Sequence, residues 1–388
     1  MSPPTGGHGA LRDYLRVIGA IHKCDVSRCC FLFEYRIIKM AKKYQTPPYL
    51  IFYPTSSCNL RCRHCYYWRE LGKSSSEELS LGQIESLCKE LGKLRILWLG
   101  GGEPLLRLDL LEVLKLFYRY NRVKILSIPT NGWLTDLIVE QIRKILAISG
   151  KRRVSVVVSL DGDQASHDSI RGEGSFARAL LTIKALQGLK KEYKTLLVRI
   201  NVTVSASNYS GVVRLLQQSS GCLGVPDVFN LSILRGSPAD PLISPPSLAD
   251  LRRLWREKIS LCRENKPWWS HWLEWATFEA GLIAFSTGKR SFTCEAGRLM
   301  GVVYEDGRVS FCEFLPPLGN IRERSFADIW HSDLADQQRL SIAAKKCSCY
   351  HDCFFLVNLL SYPWLIIYFG WRRLISSLSA APKRYILN

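Results

Sequence analysis

Cys58-Asn59-Leu60-Arg61-Cys62-Arg63-His64-Cys65-Tyr66 is the stretch that decides how this chain is read. Its three cysteines stand at C-x3-C-x2-C, just after the apolar run Tyr49-Leu50-Ile51-Phe52-Tyr53, which places them on a loop at the end of a strand. Thiolates set this close can hold three irons of a [4Fe–4S] cube and leave the fourth iron open to another ligand. A zinc site, the plainer alternative, wants four protein ligands closing a tetrahedron, and its knuckles are usually spaced C-x2-C or C-x4-C. A disulfide reading leaves one cysteine over.

Working outward, 388 residues allow two or three domains and an ample core. A chain with 47% hydrophobic and 22% charged residues is globular rather than disordered. The excess of 53 Lys and Arg over 34 Asp and Glu gives a net charge of +19. That favours an anionic partner: nucleic acid, an anionic membrane face or a phosphorylated substrate. Met1 to Ala10 has no basic segment followed by an apolar one, so the expected location is cytoplasmic, with thiols kept reduced. The fourteen cysteines fall into two clusters, 58–65 and 294–353, plus single thiols. Cys24, Cys29, Cys30, Cys88, Cys222 and Cys262 read as small buried residues.

From Pro48 onward, apolar runs alternate with amphipathic stretches. The runs are Leu50–Tyr53, Ile96–Leu99, Val123–Ile128, Val154–Leu160, Val198–Val204 and Val228–Ile233; helical patterns cover Leu81–Leu91, Leu108–Tyr118, Leu134–Ile148, Phe176–Tyr193 and Ser210–Gln218. Strands this rich in Val, Ile and Leu predict an α/β fold whose parallel sheet is covered by helices. Chemistry in such barrels gathers at the C-terminal strand ends. There stand Gly100-Gly101-Gly102-Glu103-Pro104, Thr130-Asn131-Gly132, and Ser159-Leu160-Asp161-Gly162 followed by His167 to Gly172. His167 reads as structural. Residues 247–285 read as a bridging helical segment with Leu251, Leu254, Trp255, Ile259 and Leu261 on one face. Its Trp268, Trp269, Trp272, Trp275 and Phe278 read as core, with a substrate platform or membrane-interface contact as the sharper alternative.

The cysteine spacing followed by an aromatic residue resembles the signature of the radical S-adenosylmethionine (SAM) enzymes. That resemblance implies a partial (β/α)6 TIM-type barrel and a catalytic [4Fe–4S] cluster on Cys58, Cys62 and Cys65. It implies that SAM chelates the open iron, is cleaved reductively to a 5′-deoxyadenosyl radical, and that this radical takes hydrogen from substrate. Tyr66 would then lie near the adenine, and Gly101, Gly102 and Glu103 would hold the amino group of SAM. Thr130 and Asn131 resemble the family's segment near the cofactor. Ser159 and Arg171, twelve residues apart, would bind SAM polar groups including its carboxylate. Asn201, Thr203 and Ser205 would reach its ribose or adenine. No catalytic acid or base is assigned, because the radical performs the abstraction.

Late in the chain, Cys294 and Cys312 flank two apolar runs joined at Glu305-Asp306-Gly307, a hairpin signal. With Cys347, Cys349 and Cys353 they resemble the SPASM/twitch domains of many radical SAM enzymes. Five thiols imply one auxiliary [4Fe–4S] cluster on Cys294, Cys312, Cys353 and either Cys347 or Cys349; a structural zinc is the alternative. The expected organisation is a basic helical lead (1–47), the barrel (48–235), bridging helices (236–290), the small α+β iron–sulfur domain (291–353) and an apolar, basic tail (354–388). The resemblance implies a peptide substrate, as in peptide maturases, or else a small molecule or lipid, and an electron donor such as flavodoxin or ferredoxin. The aromatic and basic ends raise peripheral contact with an anionic membrane. A nucleic-acid-modifying enzyme and a non-enzymatic metal scaffold are the competing classes.

Overall fold

The computed structural model describes residues 45–73, 77–222, 228–262, 268–290, 292–344, 349–350, 357–358, 361–362 and 368. The chain divides at Tyr44/Gln45, and all described residues lie on the C-terminal side. The basic lead before Gln45 and most of the tail after Cys353 therefore lie outside the described residues.

Six parallel strands form the frame: β1 (Tyr49–Phe52), β2 (Ile96–Leu99), β3 (Ile125–Thr130), β4 (Arg153–Ser159), β5 (Leu196–Val204) and β6 (Val228–Ile233). Between them run α1 (Leu81–Glu90), α2 (Leu110–Asn121), α3 (Thr135–Ser149), α4 (Gln164–Arg171), α5 (Ser175–Leu189) and α6 (Tyr209–Cys222). The expected α/β alternation and parallel sheet are thus present. β1 is buried along its whole length, as a strand covered on both faces must be. β5 behaves differently: Leu196, Val198, Ile200, Val202 and Val204 are buried, while Leu197, Arg199, Asn201 and Thr203 are half-buried on the opposite side. This period-two alternation turns Asn201 and Thr203 away from the helices.

Helix α4 was not among the expected helices. Asp163 caps it, its Oδ1 accepting from Ser166 N at 3.1 Å, and its last residue is Arg171. Eight residues with a low apolar content give little periodic signal, which is why the pattern hid it.

The late hairpin forms as expected. β7 (Met300–Val303) pairs antiparallel with β8 (Arg308–Ser310), Tyr304 N donates to Arg308 O, and Gly307 supplies the left-handed turn position at φ +92. β9 (Gly319–Asn320) adds the last edge. β7 also pairs in parallel with β1, Tyr49 opposite Met300 through Phe52 opposite Val303, so the sheet runs β6-β5-β4-β3-β2-β1-β7-β8-β9. The bridging segment is two helices, α7 (Leu248–Cys262) and α8 (Trp268–Thr287). Leu251, Leu254 and Trp255 are buried, and Trp255 stacks on Phe278 with ring centroids 4.2 Å apart, which is core packing. The side chains of Ile259, Leu261, Trp268, Trp269 and Trp272 lie outside the described residues. Among the scattered thiols, Cys88 is fully buried, as expected of a small apolar residue. Helices α9 (Phe326–Trp330) and α10 (Asp333–Ala343) follow β9, and no described helix is long and apolar enough to cross a membrane.

Candidate active site

A cleft of about 240 Å³ opens at the C-terminal ends of the parallel strands. It is far larger than a packing void, since native interiors hold few gaps bigger than a water molecule. Cys58, Cys62, Cys65, Tyr66, Gly101, Gly102, Glu103, Thr130, Asn131, Ser159, Arg171, Asn201 and Thr203 all line it. Ser205 does not. It is buried at the end of β5, where its N–H and hydroxyl both bond Asn208 Oδ1, a local turn that leaves nothing for a ligand.

The cysteine loop is pinned on both flanks. Arg63 N donates to Ile170 O in α4, and the Arg63 guanidinium pairs with Asp240 at 2.6 Å. Arg61 turns back onto the carbonyls of Cys58 and Leu60. Burial pushes all three thiols up, Cys65 to about 11, so metal loading must displace protons. Among the described residues no three His, Cys, Asp or Glu side chains close on a single ion.

Beside the loop lies a buried charge pair. Asp161 is fully buried; its Oδ2 accepts from Arg171 Nε at 2.5 Å and its Oδ1 accepts from Thr203 N at 2.7 Å. Burial is the largest influence and raises the Asp161 carboxyl, but Arg171, the neighbouring imidazoles and the Thr203 N–H together outweigh it and hold the group at about 2. Anchored in this way, Arg171 brings Nη1 to 3.8 Å from Cys62 Sγ and Nη2 to 3.5 Å from His64 Nε2. Burial drives His64 down to about 4, so it is neutral at physiological pH. His167, likewise lowered to about 4 by burial, accepts from Asp161 N on Nδ1 and packs edge-on against Phe176. Its task is to seat the Asp161 turn.

The glycine loop packs on the cysteine loop's own entry. Gly102 N donates to Thr55 O and Glu103 N to Ser57 O. A Cβ on Gly102 would sit 2.1 Å from Ser57 O, and one on Gly101, at φ +94, 2.4 Å from Thr55 O. The close approach that excludes side chains here is backbone to backbone. Glu103 is buried, with Oε2 accepting from Asn131 N at 2.7 Å and Oε1 without a hydrogen-bond partner among the described residues. Burial raises its carboxyl to about 7. A buried carboxylate with one open oxygen, lining the same cleft as three cysteines, fits a cationic ligand group such as an ammonium. Asn131 also donates to Asn59 Oδ1, so it ties the third strand's end to the cysteine loop.

Several cleft residues escaped the sequence reading. Tyr66 hydroxyl donates to Glu313 Oε1 at 2.6 Å and meets Tyr53 hydroxyl at 2.9 Å; Tyr53 also bonds Glu313. Arg235 lies over the Tyr66 ring at 4.7 Å and 3.8 Å from Glu313. The residue after Cys65 is thus bonded to the residue after Cys312. That carboxylate beside a candidate ligand cysteine was the available signal. On β6, Asn230 and Ser232 both donate to Asn201 Oδ1. Of the late cysteines, Cys294 and Cys312 are buried, Asn358 Nδ2 lies 3.5 Å from Cys294 Sγ, and Cys349 is half-buried. Cys347 and Cys353 lie outside the described residues.

Comparison with known proteins agrees with this geometry. The model of the radical SAM superfamily matches residues 52–203, and that of the SPASM iron–sulfur cluster-binding domain matches residues 294–354. The chain is 32% identical over 302 residues to the AdoMet-dependent heme synthase of Methanosarcina barkeri, covering 72% of this chain and 80% of that protein. It is 27% identical over 302 residues to the sporulation killing factor maturation protein SkfB of Bacillus subtilis, covering 76% and 67%. In fold it is similar to Streptococcus suis SuiB bound to precursor peptide SuiA, with TM-score 0.53, 20% identity and coverage of 79% of this chain and 70% of that one. These matches fall on the strands and loops that build the cleft and on the late cysteine domain, and the chain belongs to the radical SAM superfamily, as an enzyme that uses a [4Fe–4S] cluster and SAM and carries a SPASM-type auxiliary iron–sulfur domain.

Proposed function

We propose that this enzyme modifies a peptide by hydrogen abstraction, with Cys58, Cys62 and Cys65 holding the catalytic cluster. When bound, cluster and SAM together supply one electron and a carbon radical that takes hydrogen from substrate. The chain's own residues orient and shield. Glu103 receives the ammonium of SAM on its open oxygen, and Asn131 fixes that carboxylate from behind. Arg171, clamped by Asp161, sets a cation beside Cys62 that suits both cluster charge and the SAM carboxylate. Ser159 and Asn201, paired across β4 and β5, offer hydrogen bonds to the rest of the cofactor. Cys294, Cys312 and Cys349, with Cys347 and Cys353, are the candidate ligands of the auxiliary cluster.

The bare Glu103 Oε1 is the observation that carries the SAM reading. The peptide reading is supported by likeness to SkfB, a maturation protein, and by the neutral amide of Asn230 and hydroxyl of Ser232 on the cleft wall, groups that match peptide amides. A second reading, a carboxylate-bearing tetrapyrrole, is favoured by likeness to the heme synthase and by Arg235 on the cleft wall.

Anaerobically reconstituted enzyme with dithionite and SAM should release 5′-deoxyadenosine, and a cognate peptide should raise that rate. Stimulation by an iron porphyrin but by no candidate peptide would transfer the assignment to the second reading. No 5′-deoxyadenosine under any condition would sink both.

A further inference from the structure

The end of the barrel opposite the cleft carries a charge pattern that the chemistry above does not use. Four consecutive junctions lead into β2, β3, β4 and β5: residues 91–95, 121–124, 150–153 and 190–195. Together they hold ten Lys or Arg and one acidic residue, Glu192, which is already paired with Arg143 at 2.8 Å. Glu90, just before the first junction, accepts from Ala327 N, and Glu85 is held by Lys89 and Tyr120.

The sheet sets these cations at one level. Lys124 N donates to Arg95 O and Arg153 N to Lys124 O, so three neighbouring strands each begin on or just after a cation. Adjacent parallel strands lie about 4.8 Å apart. Arg122, Lys124, Lys151, Arg153, Lys191 and Lys194 are exposed, and none has an ion-pair partner among the described residues. Like charges lined up on neighbouring strands repel, which costs stability. Such a row is offset when a planar anionic surface lies against it.

We propose that this end of the barrel is a docking face for an anionic phospholipid surface. Several features favour a bilayer over other anions. The row is set by strand register, so Arg95, Lys124 and Arg153 stand side by side at three neighbouring strand starts, with further exposed cations in the adjoining loops. Its four junctions contain one aromatic residue, the half-buried Tyr193, so the stacking rings that single-stranded nucleic acid uses are lacking there. β4 alone puts roughly 20 Å between this face and the cleft, at about 3.3 Å per residue. The cleft mouth thus stays open, and a protein delivering electrons to the cysteine loop has no use for this end.

Vesicle flotation of the full-length, iron-loaded protein tests this. The wild type should float with phosphatidylcholine vesicles containing phosphatidylglycerol and not with phosphatidylcholine alone. Raising sodium chloride from about 0.1 M to about 1 M shortens the Debye length from about 10 Å to about 3 Å and should abolish flotation. The triple variant Lys124→Glu/Arg153→Glu/Lys194→Glu should float at least about tenfold less while keeping its iron colour and SAM cleavage. Should that variant fail to fold, the neutral Lys124→Gln/Arg153→Gln/Lys194→Gln set should still lower flotation several-fold. A folded variant that floats like the wild type, a wild type that stays with the protein-only fraction, or tRNA that binds more tightly than the anionic vesicles would each overturn the proposal.

Discussion

Glu103 concentrates the residue-scale argument. One of its oxygens is bonded to Asn131 N, the other is bare, and burial lifts the carboxyl to about 7 against an ordinary 4.5. Because the folded protein holds this proton more tightly than the unfolded chain, the associated stability is complete below about pH 4.5. It is lost as pH rises through about 7, and amounts to roughly 3 kcal/mol. Urea unfolding of the metal-free, SAM-free protein should show that loss between about pH 4.5 and about pH 7, and Glu103→Gln should flatten it. The same variant should weaken SAM binding by about tenfold to a hundredfold, the worth of a hydrogen bond to a charged group, as read by equilibrium dialysis. Unchanged affinity would remove Glu103 from the cofactor site.

At the scale of elements, α4 and the glycine loop each show a short segment held by a few specific contacts. Asp161→Ala would leave Arg171 buried without its partner and should cost about 3–5 kcal/mol in chemical denaturation. Asp163→Ala removes only the cap of α4 and an exposed pair with Arg214, and should cost about 1 kcal/mol. If the two losses were equal, the buried pair would not be the anchor described above. Gly102→Ala should destabilise by about 1–3 kcal/mol through the clash with Ser57 O, and lower the iron retained per chain in metal analysis.

Over the whole molecule, the nine-stranded sheet makes the late hairpin part of the barrel's own fabric. β1 is hydrogen-bonded to β2 on one side and β7 on the other, and its four residues are buried. Removing residues 291–388 would expose that apolar edge, so the shortened chain should be recovered as aggregate rather than as folded protein. A monomeric, iron-loaded fragment on gel filtration would contradict this. The Tyr66–Glu313 bond has the same consequence at the cleft, where the early loop and the late hairpin share one wall.

Alternation of apolar runs with helical patterns, and the spacing of Cys58, Cys62 and Cys65, were enough to determine the parallel sheet and the chemistry at its strand ends. Both follow from local periodicity and from ligand reach within a few residues. Only the tertiary structure decided that α4 exists to deliver Arg171, that Asp161 clamps it, that Glu103 keeps an oxygen bare, and that β7 closes on β1. Each of these joins groups far apart in the chain. Burial, a paired charge or a strand neighbour is a property of what surrounds a residue in space, and no window along the sequence contains it.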